Sequence, residues 1–157
     1  MGAKDKDSLF MAEALKEAVK AEKRGEVPVG AVIVHGPEVI ARGYNRKETG
    51  RNPTLHAEMV AIERAAKKLG SWRLEGATLY VTLEPCLMCM GAVIQARIPG
   101  LVFAARDPKA GACGSLYDIA NDRRLNHRVK VRAGVGEAEA GAMLKEFFLR
   151  LRKKGKG

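Results

Sequence analysis

The stretch ATLYVTLEPCLMCMGAVIQA, residues 77–96, contains the transition that decides the fold. Its first six residues, 77–82, are rich in β-branched, aromatic and aliphatic side chains, which is typical of a buried strand. Pro85 then stands where a helix can begin, because proline is favoured at the first helical position. Residues 86–96 continue with apolar side chains as the body of that helix. The stretch therefore predicts a strand followed directly by a helix whose first turn carries two cysteines.

Strand and helix patterns alternate through the rest of the chain as well. We predict helices over 8–24, 54–69 and 137–154, a β-hairpin over 29–44, and strands over 101–105 and 128–133. Thr54 is the predicted N-cap of the second helix. Strands that are separated by helices indicate parallel pairing, whereas a hairpin is antiparallel. We therefore expect an α/β fold: a single mixed five-stranded sheet with an antiparallel hairpin and helices on both faces. Residues 1–157 would form one domain, with residues 1–7 and 153–157 as disordered tails.

Three potential zinc ligands and one further carboxylate stand near the starts of two predicted helices. Cys86 and Cys89 share one helix face because they are three residues apart, and His56 comes from the other helix. Structural zinc usually takes four protein ligands, whereas catalytic zinc takes three and keeps a position for water. The pattern H-x-E with P-C-x-x-C is the signature of zinc-dependent deaminases, in which the glutamate moves protons and is not a ligand. We therefore predict one zinc held by His56, Cys86 and Cys89, with Glu58 as the catalytic residue.

The alternative is a structural zinc site, which would need a fourth ligand. Cys113, His35 and His127 are the candidates for that position. The chain has three cysteines, which is a poor disulfide framework and fits a reducing compartment. We therefore expect a cytoplasmic protein in which Cys113 is a free thiol outside the metal site.

Basic residues are concentrated near the end of the chain. The formal net charge is +10, and residues 123–157 contain 11 Lys or Arg against 3 acidic residues. Such a bias predicts a polyanionic partner, with nucleic acid first, although a solvated helix face is an equally good explanation. No apolar run approaches the roughly 18 residues of a membrane span, so we expect no membrane association.

Seven stretches distributed between Leu9 and Arg152 match the pattern of a known family. They are residues 26–32, 53–58, 79–86, 105–109, 114–115, 126–129 and 147–148. On these residues the chain resembles the bacterial tRNA-specific adenosine deaminases. The resemblance implies a cytidine-deaminase-like fold, one zinc per subunit and a homodimer. It also implies conversion of adenosine to inosine at the wobble position of a tRNA anticodon, so the anticodon stem-loop would be the partner.

The resemblance further implies roles for individual residues. The four residues of the zinc motif match the family's zinc ligands and its proton shuttle. Asn45 matches a substrate-contacting residue, Pro28 and Val29 match residues that line the base pocket, and Asp107 and Asn126 match loop positions near the bound RNA. Two of these residues have a simpler interpretation, since Asn45 could be a turn residue and Asp107 the start of an Asx-turn.

Two competing functions remain open at this level. One is a deaminase of a free base or nucleotide such as guanine, cytosine or a deoxynucleotide, which shares the zinc chemistry but does not need a basic C-terminal region. The other is a non-catalytic, zinc-stabilised RNA-binding module, which has no use for Glu58. The homodimer expectation gains some support from Met90, Val93 and Ile94, since the helix over 86–96 is more apolar than one sheet face requires.

Overall fold

The computed structural model describes residues 2–155, which form a five-stranded sheet between helices. The helices are α1 (Ala3–Lys23), α2 (Ala57–Leu69), α3 (Leu87–Gln95) and α4 (Glu137–Gly155). The strands are β1 (Gly30–His35), β2 (Glu38–Tyr44), β3 (Ala77–Leu83), β4 (Gly100–Ala105) and β5 (Lys130–Ala133). A short 3-10 helix lies at Ile119–Asn121.

The strand order across the sheet is β2-β1-β3-β4-β5. β1 is antiparallel to both of its neighbours, with Ile33 opposite Ala41 on one side and Leu79 on the other. β3, β4 and β5 run parallel, and Val81 of β3 lies opposite Phe103 of β4. The expected mixed sheet is confirmed. The antiparallel pairing extends beyond the hairpin because β1 lies between β2 and β3.

Side chains that alternate along the strands fill two separate cores. One core faces α2 and α3, and its largest buried strand residues are Ile33, Leu79, Val81, Leu101 and Phe103. The opposite face packs against α1 and α4 through Val32, Val34, Tyr80, Val102 and Ala104. Because neighbouring residues of a strand point to opposite faces, helices on both sides follow from the apolar character of consecutive positions. The expectation of helices on both faces is confirmed.

A close backbone approach at Gly43 fixes the start of α2 against the edge strand β2. A Cβ atom at Gly43 would lie 2.6 Å from the carbonyl oxygen of Ala57 and 2.8 Å from the backbone nitrogen of Ala61. Only glycine leaves room for this approach. The first turn of α2, which carries part of the zinc motif, is therefore held directly on the sheet.

The predicted N-terminal tail is wrong for residues 3–7, which form the first turns of α1. The reason is the buried carboxylate of Asp7. It accepts hydrogen bonds from the Tyr80 hydroxyl at 2.8 Å and from Arg132 Nε and Nη2 at 2.6 and 2.9 Å. These hydrogen bonds, the Arg132 pair first among them, hold the pKa of Asp7 below its ordinary value. Asp7 thereby ties the start of α1 to β3 and β5.

The predicted C-terminal tail is wrong for residues 153–155, because α4 continues through Gly155. Arg152, Lys153 and Lys154 occupy the last turn, where positive charge interacts favourably with the helix dipole. The ends of the two predicted tails, residue 1 and residues 156–157, lie outside the described residues.

The start of α2 also differs from the prediction. His56 is the N-cap, and Thr54 lies in the preceding turn, where its hydroxyl donates to Asn52 Oδ1 at 2.8 Å. The prediction of Thr54 as N-cap is therefore wrong. The helix begins later because Thr54 is engaged in this local turn with Asn52.

The apolar residues of α3 pack inside the chain. Met90, Val93 and Ile94 are buried in the core on the α2 side of the sheet. The prediction that these three residues support a dimer interface is therefore wrong. The exposed large apolar residue of α3 is Leu87. No helix within residues 2–155 combines the length and the apolar character of a membrane span.

Candidate active site

The three predicted zinc ligands converge where α2 and α3 begin. His56 is the N-cap of α2 and Cys86 is the N-cap of α3. His56 Nδ1 lies 3.6 Å from Cys86 Sγ and 3.5 Å from Cys89 Sγ, and all three ligand atoms lie within 4.8 Å of one another. The strand–helix transition at residues 83–87 thus faces the first turn of α2, and two distant pieces of sequence form one cluster.

The spacing of these atoms fits a tetrahedral zinc ion. Zn–N bonds of about 2.1 Å and Zn–S bonds of about 2.3 Å at a tetrahedral angle place nitrogen and sulfur roughly 3.6 Å apart. The observed distances of 3.5 and 3.6 Å match that separation. One imidazole and two thiols are also a donor set that zinc prefers.

None of the three candidates for a fourth ligand joins the cluster. Within residues 2–155, the group that could hold a metal ion consists of three residues. His127 Nε2 hydrogen-bonds to the Ile98 carbonyl at 2.8 Å, and His35 is exposed at the end of β1. Cys113 is buried in the hydrophobic core, and burial is the main cause that raises the pKa of its thiol to about 12. The arrangement contradicts the structural four-ligand alternative.

The two thiols of the cluster differ in charge. The hydrogen bond from Cys89, helped by His56, lowers the pKa of Cys86 to about 3. The same bond, together with burial, raises the pKa of Cys89. The hydrogen bond with Cys86 also raises the pKa of His56. Negative charge is therefore already favoured at the helix start, as metal ligation by thiolate requires.

Glu58 lies in the first turn of α2, two residues after His56, and is 4% exposed. Burial is the main cause that raises its carboxyl pKa, although its own backbone N–H and His56 oppose the shift. A carboxyl group with a raised pKa can both accept and return a proton near neutral pH. Its burial beside the ligand cluster suits it to proton transfer.

The cluster opens into a cavity of about 180 Å³. Twelve residues line it: Val27, Val29, Asn45, Lys47, His56, Ala57, Glu58, Leu83, Glu84, Cys86, Asp107 and Ala110. Of the residues predicted to bind substrate, Val29, Asn45 and Asp107 are therefore at the cavity. Pro28 is buried but does not line it, and Asn126 is exposed and lies outside it.

Asn45 is both a turn residue and a part of the cavity wall. Its Oδ1 accepts the backbone N–H of Lys47 at 3.3 Å, and its Nδ2 lies 3.5 Å from the Val27 carbonyl. The first contact is the Asx-type hydrogen bond of a turn. The second is long, so the amide can turn toward a ligand in the cavity.

Asp107 starts an Asx-turn in the loop that follows β4, which is the simpler of the two roles predicted for it. Its Oδ1 accepts the backbone N–H groups of Lys109 and Ala110, each at 3.1 Å. This is an Asx-turn, and it engages one of the two carboxylate oxygens. The residue still lines the cavity, so its place near a substrate remains a prediction.

Two buried carboxylates that hold the loops around the cavity escaped the sequence analysis. Glu84 follows the last residue of β3 and precedes Pro85. It accepts the backbone N–H groups of Asp107, Cys113 and Ser115 at 3.0, 3.0 and 3.1 Å. The Ser115 hydroxyl adds a fourth hydrogen bond. Burial alone would raise the pKa of Glu84, but these hydrogen bonds outweigh it and lower the pKa. Gly111 allows the close approach, because a Cβ atom there would collide with the Glu84 carboxylate.

Glu26 plays the same part on the other side of the cavity. It is fully buried and accepts the backbone N–H groups of Glu48 and Thr49 at 3.0 and 2.6 Å. Both glutamates had one usable signal in the sequence, namely an acidic residue directly beside an apolar strand segment. A buried carboxylate costs free energy unless it is paired, so such a position predicts hydrogen-bonded partners.

A groove leads from the cavity to α4. Arg106, Pro108 and Lys109 border it together with Leu144 and Phe148 of α4. The groove shares Val27, Leu83, Asp107 and Ala110 with the cavity. Farther along α4, Lys145 and Arg152 flank the exposed ring of Phe148. Of the two adjacent phenylalanines, Phe148 is thus the exposed one and Phe147 is half-buried.

Comparisons with known proteins agree with this geometry. The family model of MafB19-like deaminases matches residues 4–152. A tRNA-specific adenosine deaminase from Bacillus subtilis is 55% identical over 150 residues, which is 96% of this chain and 93% of that protein.

Two solved structures add the comparison of folds. One, from studies of A-to-I editing at the wobble position of transfer RNA, has a TM-score of 0.83 and 45% identity. The match covers 86% of this chain and 98% of the other chain. A guanine deaminase from Bacillus subtilis has a TM-score of 0.61 and 38% identity, covering 68% of this chain and 66% of its own.

Proposed function

We propose that this chain, which belongs to the tRNA-specific adenosine deaminases among the MafB19-like deaminases, converts adenosine to inosine at the wobble position of a tRNA anticodon loop. The reaction is hydrolytic: water replaces the exocyclic amine of the purine, and ammonia leaves. One zinc ion per subunit is the cofactor. The anticodon stem-loop is the partner.

The observation that carries this proposal is a set of three convergent ligand atoms, rather than four, beside one buried carboxylate with a raised pKa. A structural site would use a fourth protein ligand. A binding module would bear the cost of burying Glu58 for no purpose, since a buried carboxyl group without a strong partner destabilises the fold.

The metal is held by His56, Cys86 and Cys89 in this proposal. Bound there, zinc would act as a Lewis acid that makes a water molecule a stronger nucleophile near neutral pH. The low pKa of Cys86 favours ligation by thiolate.

Glu58 manages the protons. It accepts a proton from the attacking water and transfers it to a ring nitrogen of the purine. It then takes the second proton from the oxygen that has added to the carbon and gives it to the amine, which leaves as ammonia when its C–N bond breaks. One carboxyl group thus serves both as base and as acid. Burial raises its pKa and therefore brings it closer to the pH at which both roles are needed.

The size of the cavity supports an extruded base as the group that enters it. Pockets for drug-sized ligands are about 300–1,000 Å³, whereas this cavity is about 180 Å³. A single base fits this volume, and the ribose and phosphates would remain at the mouth. Val29 provides an apolar wall and Asn45 an amide that can hydrogen-bond to the base edge. Pro28 is the buried chain neighbour of Val29 and lies outside the cavity lining.

The basic groove along α4 supports a polynucleotide substrate. Lys145 and Arg152 flank the exposed Phe148 there, and a cation beside an aromatic ring is a common way to bind single-stranded nucleic acid. Asn126 and Asp107 belong to loops that would lie near this RNA. Because tRNA is a cytoplasmic substrate, the proposed activity also places the protein in the cytoplasm.

A deaminase of free guanine is the second candidate, because the guanine deaminase from Bacillus subtilis shares the fold at 38% identity. The deciding experiment measures ammonia release from guanine, cytosine, adenosine and an anticodon stem-loop RNA. The proposal expects a kcat/KM on the stem-loop that exceeds the others by orders of magnitude, with inosine at the wobble position. Equal activity on free adenosine or guanine would overturn it. RNA binding without ammonia release would favour the non-catalytic module.

The active form is a homodimer in this proposal, although it uses a different surface from the one expected at first. Leu87, Leu116 and Tyr117 are about half exposed. Their segments are joined by the hydrogen bond from the Ala112 N–H to the Pro85 carbonyl at 2.8 Å. Light scattering on Leu87→Glu should show a monomer, and a fully active wild-type monomer at micromolar concentration would contradict the dimer.

A further inference from the structure

Lys47 stands out among the residues at the cavity because its role is not explained by the zinc chemistry. Among the twelve lining residues, all within residues 2–155, it is the one lysine or arginine. The other ionisable residues of the wall are His56, Cys86, Glu58, Glu84 and Asp107. The first two are candidate metal ligands, and the last three are acids.

The backbone of Lys47 is held from several directions. Its N–H donates to Asn45 Oδ1 at 3.3 Å, and its carbonyl accepts the Asn52 N–H at 3.1 Å. The next two N–H groups, of Glu48 and Thr49, donate to the buried carboxylate of Glu26. The point from which the lysine side chain starts is therefore fixed at the mouth of the cavity.

The ammonium group at the end of that side chain is not neutralised by a neighbour. The side chain is exposed, and no carboxylate within residues 2–155 forms a salt bridge with it. The side chain nevertheless belongs to the wall of the cavity, which it lines together with Asn45 and His56. A fixed backbone with an unpaired cation at a cavity mouth is the arrangement of an anion-binding residue.

The anion follows from the size of the cavity. If a base fills the 180 Å³, the phosphates on either side of its ribose must lie at the mouth, where Glu84 and Asp107 would otherwise repel them. We infer that Lys47 binds one of the two backbone phosphates that flank the target adenosine, and that this contact makes the site select a nucleotide within RNA over a free base or nucleoside. This inference rests on the proposed function and adds a specificity-determining residue to it.

The contact has consequences that differ from those of a solvated lysine. Lys47→Gln should reduce kcat/KM on the stem-loop roughly tenfold, as expected for one lost hydrogen bond to a charged group. The loss should appear in KM, because the phosphate is bound equally in the ground and transition states. The slope of log K for binding against log salt should fall by roughly 0.7, the value for one phosphate contact on a single strand.

The decisive experiment pairs the variant with changed RNA. Two stem-loops each carry one neutral methylphosphonate, either 5′ or 3′ of the target adenosine. We expect the wild type to lose about tenfold in kcat/KM on one of them, and Lys47→Gln to lose nothing further on that same RNA. Lys68→Gln is the matched control, because it removes the same charge from an exposed position at the far end of α2.

The possible results separate the inference from the proposed function. Two results would overturn the phosphate contact while leaving the deaminase intact. One is that Lys47→Gln and each methylphosphonate lower kcat/KM independently of one another. The other is that Lys47→Gln does not lower kcat/KM at all. If the wild-type protein does not deaminate the unmodified stem-loop, the proposed function itself has failed. Zinc content and thermal stability of Lys47→Gln should equal those of Lys68→Gln.

Discussion

The floor of the cavity and its rim both depend on buried glutamates, and the two use them in opposite ways. Glu58 at the floor is buried without strong hydrogen-bond donors, so burial raises its pKa. Glu84 and Glu26 under the rim loops are also shielded from solvent, yet their hydrogen bonds lower their pKa values. Burial alone therefore does not tell what a carboxylate does.

The two kinds of site differ in the number of hydrogen-bond donors that the carboxylate has. Glu84 has four hydrogen bonds from the loop that follows β4, and Glu26 has two from the loop that follows β2. A carboxylate with its acceptor sites filled stays ionised and holds a loop, whereas one with few donors can exchange a proton. The difference between floor and rim can be tested by removing one charge at a time.

Glu58→Gln should give the largest effect, a fall in kcat of roughly 10²–10⁴-fold, which is the usual contribution of general acid–base catalysis. The amide keeps the shape of the floor but cannot carry the proton. Zinc content, measured by metal analysis, should stay at one per chain. Glu63→Gln is the control, since it removes an exposed carboxylate from the same helix. Loss of zinc from Glu58→Gln would mean that Glu58 is a ligand.

Glu84→Gln should destabilise the rim loop and have little effect on the chemical step. The amide nitrogen cannot accept hydrogen bonds, so backbone N–H groups of the loop lose their partner, at a cost of roughly 1–3 kcal/mol in the free energy of unfolding. We expect KM for the stem-loop to rise by about tenfold while kcat changes less. Urea unfolding and steady-state kinetics measure both effects, with exposed Glu75→Gln as the control. A fall in kcat as large as in Glu58→Gln would erase the distinction between floor and rim.

Glu26→Gln should have a smaller effect of the same kind, since only two N–H groups lose their acceptor. Burial acts to raise the pKa of Glu26, but the hydrogen bonds from Thr49 and Glu48 outweigh it and hold the pKa below its ordinary value of 4.5. The stabilisation is therefore fully present above about pH 4.5 and is lost as the pH falls through the lowered pKa. Urea unfolding at about pH 7 and about pH 4 should show a smaller pH dependence in Glu26→Gln than in the wild type. An identical dependence would show that Glu26 is not the titrating group.

Cys113→Ala should have the smallest effect. The thiol lies near the floor but outside the ligand cluster, and burial keeps it protonated with a pKa of about 12. Zinc content and kcat should both remain near their wild-type values, with at most about 1 kcal/mol lost in stability. Loss of zinc on metal analysis would restore the four-ligand structural site.

The parts predicted from sequence are those that depend on short spacing. Cys86 and Cys89 lie one turn apart, and the H-x-E pattern puts His56 and Glu58 at one helix start, so local geometry determines each half of the floor. The combined motif predicted that the halves meet, although His56 and Cys89 are 33 residues apart. The rim could not be predicted in this way, because Glu84 accepts backbone N–H groups up to 31 residues away, and backbone groups leave no pattern of residue types in the sequence. The same reason explains the wrong N-terminal tail, since Asp7 and Arg132 are 125 residues apart. The position of β1 between β2 and β3 also depends on long-range pairing.

The way in which each rim loop is fastened has a consequence for how such a protein can change over evolutionary time. Each loop is attached mainly through its backbone N–H groups, and the Ser115 hydroxyl is the side-chain donor to Glu84, so the attachment depends on few of the side chains that the loops carry. Residues such as Lys47 or Lys109 can therefore be exchanged while the attachment persists. The loop sequences could therefore change while the reaction centre stays the same, and substitutions in the loops alone could change the substrate. An engineer who wishes to redirect this protein can graft loop sequences, provided that Glu26, Glu84, Ser115 and the glycine at position 111 are retained.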